Sequence, residues 1–244
     1  MGPSINLETP RRALAIGAHP DDIEFGCGGT LAKWASEGCA IFHLICTDGS
    51  KGSWDPSTDS ALLVARRQLE QRTAAHELGG NEEVIFLDWP DGELESGLVQ
   101  RMQIAASIRR VRPEVILAHD PWKRYRLHPD HRHAGFLATD GIVAARDPLF
   151  FRELDSPPHR ARSLLLFESD EVDHYEDVGG TFDAKIRALL SHHSQFESTM
   201  YIDDDAEAAA SMQAFIERER ERLVRAGSSV GLPLAESFKR MDDI

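Results

Sequence analysis

The fold is decided by residues 13–22, which read ALAIGAHPDD. The apolar run Ala13–Ala18 has the length of a buried β-strand, and a histidine and two aspartates follow where the run ends. In an open α/β sheet, ligands bind beyond the carboxyl ends of the strands, so these polar side chains stand where a functional site is expected. Pro20 restricts one backbone angle in this turn and thereby stiffens the side chains around it.

Strand-like and helix-like segments alternate along the rest of the chain. Further strands are predicted at Ala40–Cys46, Val84–Leu87, Val115–Ala118 and Ser163–Phe167. Helices are predicted at Gly28–Glu37, Ser60–Leu78, Leu98–Val111, His131–Ala145 and Asp183–His192. This alternation is typical of βαβ units, whose right-handed crossovers place helices on both faces of the sheet. We therefore predict an α/β protein with a single-domain, Rossmann-like, three-layer fold and a mostly parallel sheet.

The chain length favours one domain over residues 1–244. We expect its core at about 12–200 and a C-terminal helical segment at about 204–244. Glu and Arg alternate in residues 217–222, which indicates a solvated helix surface. The apolar side of this segment is expected to pack on the body of the protein or on a neighbouring subunit of a homo-oligomer.

Composition excludes some classes of function. The net charge is −14, which is unfavourable for binding nucleic acid because the phosphate backbone requires clustered Lys and Arg. We see no apolar stretch long enough to span a membrane and no leader of signal-peptide type before Ala13. The three cysteines lie outside any C-x-x-C pair, which favours reduced thiols in the cytoplasm.

A second polar cluster follows the fourth predicted strand. Residues 128–131 read HPDH, and the turn after the first strand reads AHPDD in residues 18–22. We call Ala18–Asp22 the first motif and His128–His131 the second motif. Both are predicted at the same edge of the sheet, the edge formed by the carboxyl ends of the strands. Two nitrogen ligands and one carboxylate with an open fourth position are typical of catalytic zinc, so the pair of motifs predicts a metal site there.

At these residues the chain resembles the LmbE/PIG-L family of zinc-dependent N-acetylglucosaminyl deacetylases. The family pattern is A-H-P-D-D near the N-terminus and H-P-D-H in the second half, which are the first and second motifs here. Weaker matches include Thr47-Asp48-Gly49, Arg67-x-x-Glu70, Lys185 followed by His192-x-Ser194-Gln195, and Ala235-Glu236-x-Phe238. The resemblance covers roughly residues 12–240.

The resemblance implies a role for each residue of the two motifs. The metal ligands fall on His19, Asp22 and His131, holding Zn²⁺ or another divalent metal such as Fe²⁺. The general base falls on Asp21. His128 stabilises or protonates the tetrahedral intermediate, and Asp130 orients a neighbouring histidine.

Further positions are expected to contact substrate. Arg67 matches an arginine that helps to hold the sugar in relatives, and Asp48 lies in the T-D-G match. His119 ends the fourth predicted strand and is expected to line the pocket. Some members place a tyrosine two residues before the second motif, where this chain has Arg126. The expected substrate is a small N-acetyl sugar or glycoconjugate.

Three other functions compete with this reading. The first is an amidase of the same family that cleaves a larger acyl group or a thiol S-conjugate. The second is a metal-dependent phosphoesterase, which would usually need two metals and more basic residues near the site. The third is a non-catalytic sugar-binding relative, which would be expected to lack Asp21 or His128, and both are present.

Overall fold

The structure is a computed structural model that describes residues 2–80, 83–203 and 207–244. The strands are Ser4–Ile5 (β1), Arg12–Gly17 (β2), Ala40–Thr47 (β3), Val84–Trp89 (β4), Val115–His119 (β5), Ser163–Phe167 (β6), His174–Asp177 (β7) and Ala235–Asp242 (β8). The α-helices are Asp22–Ser36 (α1), Ser60–Glu77 (α2), Leu98–Val111 (α3), Pro129–Arg146 (α4), Phe182–Leu190 (α5) and Ala208–Ser228 (α6). A 3₁₀ turn at His193–Gln195 and a π-helical turn at Phe196–Met200 follow α5.

The strands form one sheet in the order β1-β7-β8-β6-β5-β2-β3-β4. Pairing is parallel throughout except at β8, which runs antiparallel to both β6 and β7. β2 lies between β3 and β5, so the chain winds in one direction from β2 to β4 and in the other from β5 onward. Such a reversal is where open α/β sheets bind their ligands, and the first motif leaves β2 at this point.

Helices cover both faces of the sheet, which confirms the predicted three-layer α/β fold. On one face, α3 and α4 pack on side chains of the central strands, such as Leu14 and Ile116, and Leu137 of α4 belongs to the same cluster. On the other face, α1, α2 and α5 enclose a second core that includes Ile23 and Trp34. Because both faces are covered, β5 and β6 are buried along their whole length and are continuous apolar runs apart from one terminal residue each.

The C-terminal segment differs from the helical segment that we expected at about 204–244. Residues 204–206 lie outside the described residues, and α6 covers only Ala208–Ser228. The chain then returns to the sheet as β8, inserted between β6 and β7. β8 is most buried in its first half, where it pairs with β7, and Phe238, which pairs with both β6 and β7, is completely buried.

The apolar side of α6 packs on the body of the protein, as one of our two alternatives stated. Phe215 and Leu223 are buried in a cluster with Phe182 and Leu189 of α5. Within the ranges 2–80, 83–203 and 207–244, we find no helix that has the length and apolarity needed to cross a bilayer.

Candidate metal and catalytic site

The first motif forms a tight turn between β2 and α1. The side-chain Oδ2 of Asp22 accepts a hydrogen bond of 2.7 Å from the backbone N–H of His19, which closes the turn. Asp21 precedes the first residue of α1 and has a φ of 93°, a left-handed conformation that is uncommon for a residue other than glycine. Strained backbone of this kind concentrates at functional sites because the surrounding structure must hold it in place.

The second motif begins α4. His128 is the residue before the helix, and Pro129 occupies its first turn, where the missing N–H of proline costs no helical hydrogen bond. Asp130 is completely buried, and its carboxylate accepts hydrogen bonds from the backbone N–H groups of Gly92 (2.6 Å) and Leu94 (3.3 Å). These bonds fix the first turn of α4 against the loop that follows β4.

Three side chains from the two motifs converge on one point. His19 Nδ1 lies 3.2 Å from His131 Nε2 and 3.4 Å from Asp22 Oδ2. His131 Nε2 lies 3.3 Å from Asp22 Oδ1. A tetrahedral zinc ion with ligands at about 2.0–2.1 Å separates its ligand atoms by about 3.3 Å. The spacing of the three side chains therefore matches three corners of a tetrahedral metal site.

The chemistry of these donors also fits a metal ion. A metal ion between the two facing imidazole nitrogens and the carboxylate would accept a lone pair from all three, and these are the donor types that divalent transition metals prefer. Burial alone would raise the pKa of Asp22, but His131 and His119 beside it hold that pKa well below its usual range. Asp22 is therefore a carboxylate. The His/Asp cluster can bind a metal ion.

His119 belongs to the same cluster. It is buried at the end of β5, and its Nε2 lies 3.1 Å from Asp22 Oδ2. Its ring stacks on His131 with centroids 4.5 Å apart and planes 13° apart. The donor atoms of His119, Asp22 and His131 all lie within 4.8 Å of one another. His119 is therefore placed to orient Asp22. It also lines the cavity, and its predicted contact with substrate stays a prediction.

Two carboxylates face the other nitrogen of His19. Its Nε2 lies 3.2 Å from Asp130 Oδ2 and 3.2 Å from Asp91 Oδ1. A carboxylate on the second ring nitrogen fixes the tautomer and orientation of a metal-binding histidine. Asp130 lies within reach of His19, and its orienting role stays a prediction. Sequence analysis missed Asp91, although an acidic residue two positions beyond the end of β4 was a signal pointing to this edge.

Asp21 lies beside the cluster and lines the same cavity. Its Oδ2 is buried without a hydrogen-bond partner among the described residues, and Arg67 lies 3.6 Å from it. Gln71 Oε1 accepts from the backbone N–H of Asp21 at 3.1 Å and so anchors the strained residue. Burial raises the pKa of Asp21 to about 6, although Arg67 opposes this effect. A carboxylate with these properties can accept a proton near neutral pH.

His128 lies at the start of α4, across the cavity from α1. Its ring centroid is 4.6 Å from that of His19 and 4.9 Å from that of His131. Burial lowers the pKa of His128, and the neighbouring His19 lowers it further. A neutral imidazole at this position can donate one hydrogen bond into the cavity.

Arg67 and Asp48 differ in their position relative to the cavity. Arg67 is buried, lines the cavity, and donates to the backbone oxygens of Gly49 (2.9 Å) and Pro20 (2.8 Å). Asp48 Oδ1 accepts from the backbone N–H groups of Ser50 (2.9 Å) and Asp91 (3.0 Å), and Asp48 does not line the cavity. Asp48 therefore orders two loops. Its contact with substrate stays a prediction.

The cluster lies at the floor of a cavity of about 530 Å³. Such a volume is typical of sites that bind small molecules, which range over about 300–1,000 Å³. The walls come from the loops after β3 and β4 and from the π-helical turn after α5. The residues that line the cavity include Trp54, Gln195, Ser198 and Thr199.

The fold and the site define an α/β protein with a His/Asp cluster that can bind a metal ion and a carboxylate beside it, an arrangement suited to metal-assisted hydrolysis. The chain belongs to the PIG-L family, described as GlcNAc-PI de-N-acetylase, whose sequence profile matches residues 14–142. The two motifs lie within this range.

Individual relatives are deacetylases by name. Diacetylchitobiose deacetylase of Thermococcus kodakarensis is 35% identical over 196 residues, which cover 78% of this chain and 72% of that protein. A 1D-myo-inositol 2-acetamido-2-deoxy-alpha-D-glucopyranoside deacetylase of Streptomyces avermitilis is 32% identical over 172 residues, 60% of this chain and 58% of that protein. The solved structure of N,N'-diacetylchitobiose deacetylase from Pyrococcus horikoshii superposes with a TM-score of 0.84 and 27% identity, covering 96% of this chain and 84% of that chain.

Proposed function

We propose that this protein is a zinc-dependent N-deacetylase that releases acetate from a 2-acetamido sugar or a glycoconjugate carrying one. One observation carries the proposal: His19, Asp22 and His131, which have the donor types of a metal site, share a single cavity with Asp21, whose Oδ2 has no hydrogen-bond partner among the described residues. The names of the relatives support the substrate class, since each describes removal of acetyl from an N-acetylglucosamine-type compound. The three free cysteines support a reducing, cytoplasmic compartment.

His19, Asp22 and His131 would hold the metal ion. When bound, a divalent metal ion lowers the pKa of a water molecule and polarises an acyl oxygen. Two nitrogens and one oxygen suit Zn²⁺, and the same ligand types also suit Fe²⁺. Asp130 and Asp91 keep His19 in place by facing its second nitrogen.

Asp21 would move the proton. Its Oδ2 accepts a proton from the attacking water, and its pKa of about 6 lets it carry that proton for the duration of the step. The same carboxyl group then gives the proton to the amine nitrogen as the C–N bond breaks. The second proton of the water passes from the released acid to the amine, so acetate and a protonated amine are the products. Arg67 at 3.6 Å keeps the carboxylate in position.

His128 would donate a hydrogen bond to the acyl oxygen as negative charge develops there. Removing one donor of this kind typically lowers turnover by about 10²–10³-fold. His128 holds no place in the triangle formed by His19, Asp22 and His131, so its loss should leave metal binding largely intact.

The test combines metal analysis with acetate release from purified protein. The substrates are N-acetylglucosamine, N,N'-diacetylchitobiose and the N-acetylglucosaminyl inositol. We expect about one zinc per chain in the wild type and in Asp21→Asn and His128→Ala, with turnover reduced at least about 10²-fold in both variants. His131→Ala should lose both zinc and activity.

Two outcomes would contradict the proposal. If the wild type binds zinc and releases acetate from none of the three substrates, the deacetylase assignment is wrong. If His128→Ala loses zinc as completely as His131→Ala does, the ligand and the hydrogen-bond donor have been exchanged in our assignment.

A further inference from the structure

Trp54 stands at the mouth of the cavity whose floor holds the metal cluster. Its side chain is 61% exposed, whereas His19 and Asp22 on the floor are 7% and 9% exposed. A large exposed aromatic ring at the rim of a cavity marks a surface that binds a ligand, because such a ring gains free energy when it is covered. The mechanism proposed above leaves Trp54 without a role.

The loop that carries Trp54 is anchored on both sides of the cavity. The backbone N–H of Lys51 donates to Asp91 Oδ2 at 3.0 Å, and Gln195 Nε2 donates to the backbone oxygen of Gly52 at 2.9 Å. These bonds tie the loop to the strand end beneath it and to the turn opposite. The ring of Trp54 is therefore presented by an ordered segment.

The ring of Tyr201 lies next to the ring of Trp54. The two ring centroids are 6.4 Å apart with planes at 56°, and the side chain of Tyr201 is 64% exposed. The guanidinium of Arg218 lies 5.9 Å from the centroid of the Tyr201 ring. We call Trp54 and Tyr201 the aromatic rim. Its two rings form an exposed apolar surface continuous with the cavity.

Polar groups line the cavity next to the aromatic rim. Gln195, Ser198 and Thr199 all contribute to the wall, and both hydroxyls lie near Gln195 Oε1, at 3.4 and 3.3 Å. These long hydrogen bonds leave the hydroxyls able to turn toward a ligand. A pyranose ring has apolar C–H faces and hydroxyl groups along its edge, so a flat aromatic surface beside a polar wall complements it.

We propose that Trp54 binds the face of a second pyranose ring, attached to the 2-acetamido sugar whose acetamide reaches the metal cluster. This inference rests on the proposed function. The acetamide must lie at the floor, beside Asp21 and His128, so the ring that extends to the mouth is the one attached to that sugar. Trp54 thus determines specificity for a disaccharide over a monosaccharide.

The experiment compares kcat/KM for N,N'-diacetylchitobiose and N-acetylglucosamine in the wild type, Trp54→Ala and Trp54→Phe. Trp122→Ala is the matched control, since Trp122 is 58% exposed and does not line this cavity. Loss of one aromatic contact should lower the ratio of the two kcat/KM values about three- to tenfold in Trp54→Ala, mainly through KM. Trp54→Phe should restore most of the ratio, and Trp122→Ala should leave it unchanged.

A binding measurement provides a readout that does not need turnover. In the Asp21→Asn background, titration with the disaccharide should change tryptophan fluorescence, and that change should persist in Trp122→Phe and vanish in Trp54→Phe. An unchanged kcat/KM ratio, or an equal loss with both sugars, would refute the role of Trp54. If the wild type deacetylates neither sugar, the proposed function itself fails, and this inference fails with it.

Discussion

Lys185 and Glu236 form a completely buried ion pair behind the site, and its removal gives a sharp prediction. Lys185 Nζ lies 2.8 Å from Glu236 Oε1 and donates to the backbone oxygens of Glu24 (2.6 Å) and Phe25 (2.8 Å). Both side chains are at most 1% exposed. Because neither charge reaches water, each depends on the other and on these backbone partners.

The pair replaces hydrogen bonds that α1 lacks at a break. Cys27 has a non-helical φ of −149°, which divides α1 into two parts. Glu236 accepts from the backbone N–H groups of Gly29 (2.9 Å) and Thr30 (2.8 Å), so it caps the second part. Lys185 satisfies two carbonyl groups of the first part, which carries the metal ligand Asp22.

Lys185→Met keeps the length of the side chain and removes its charge. Breaking a buried pair in this way costs about 3–5 kcal/mol, because the remaining carboxylate stays buried without its cation. For a chain of this size, each kcal/mol lowers Tm by about 2–4 °C, so we expect a decrease of about 6–20 °C. The assay is thermal unfolding followed by circular dichroism, with urea unfolding as an independent measure of the free energy.

Lys239→Met is the matched control, because Lys239 pairs with Asp173 while both side chains are about one-third exposed or more. Exposed pairs contribute about 0–1 kcal/mol. Equal decreases in Tm for Lys185→Met and Lys239→Met would refute the reasoning. Should Lys185→Met fail to fold, Glu236→Gln keeps one acceptor oxygen for the two backbone N–H groups and should still lose more stability than the control.

Three further predictions concern single residues. Asp91→Asn weakens one of two carboxylate contacts on the metal-binding histidine of the first motif, and we expect zinc affinity to fall about 10–100-fold in a competitive chelator titration. Gly26→Ala places a Cβ 2.6 Å from the ring of Phe167 and should cost about 1–3 kcal/mol of unfolding free energy, while Gly180→Ala, with no atom within 4 Å, should be nearly neutral. Burial raises the pKa of Cys39 to about 12, so the native protein at pH 8 should react slowly with a thiol reagent, and rapid native labelling would contradict this.

The parts of the fold that could be predicted from sequence are those whose own residue pattern agrees with their burial in the structure. Ser163–Phe167 is a continuous apolar run after its first residue, and the structure has a strand with these same bounds. Leu98–Val111 was likewise predicted with the bounds that the structure shows. In such segments, local composition and tertiary burial favour the same secondary structure, so no distant contact is needed to identify them.

The parts that could not be predicted depend on distant partners. α1 begins at Asp22 and not at Gly28 as predicted, because a glycine-rich stretch becomes helical only with the support of Lys185 and Glu236. β8 carries four charged residues among its eight and is held as a strand by hydrogen bonds with β6 and β7 on its two sides. Its local sequence does not outweigh the helical pattern of α6 that precedes it.

The candidate metal site could be predicted from the sequence for a related reason. Its proposed ligands lie in two short motifs, and each motif follows one of two strands that are adjacent in the sheet, β2 and β5. Parallel pairing brings those strand ends together, so finding the strands was sufficient to bring the motifs together. Asp91 and Gln71 come from other elements and acquire their role only through contact, which explains why the motif pattern did not include them.

The last strand of the sheet therefore contributes to the site even though it lies far from it in sequence. Glu236 of β8 holds the second part of α1 and also pairs with Lys185, which holds the first part. Asp22 begins that first part and contacts both His19 and His131. A change at β8 can thus reach Asp22 through two short contacts and one helical segment, so a strand within the segment that we expected to be helical is part of the framework that positions the His/Asp cluster.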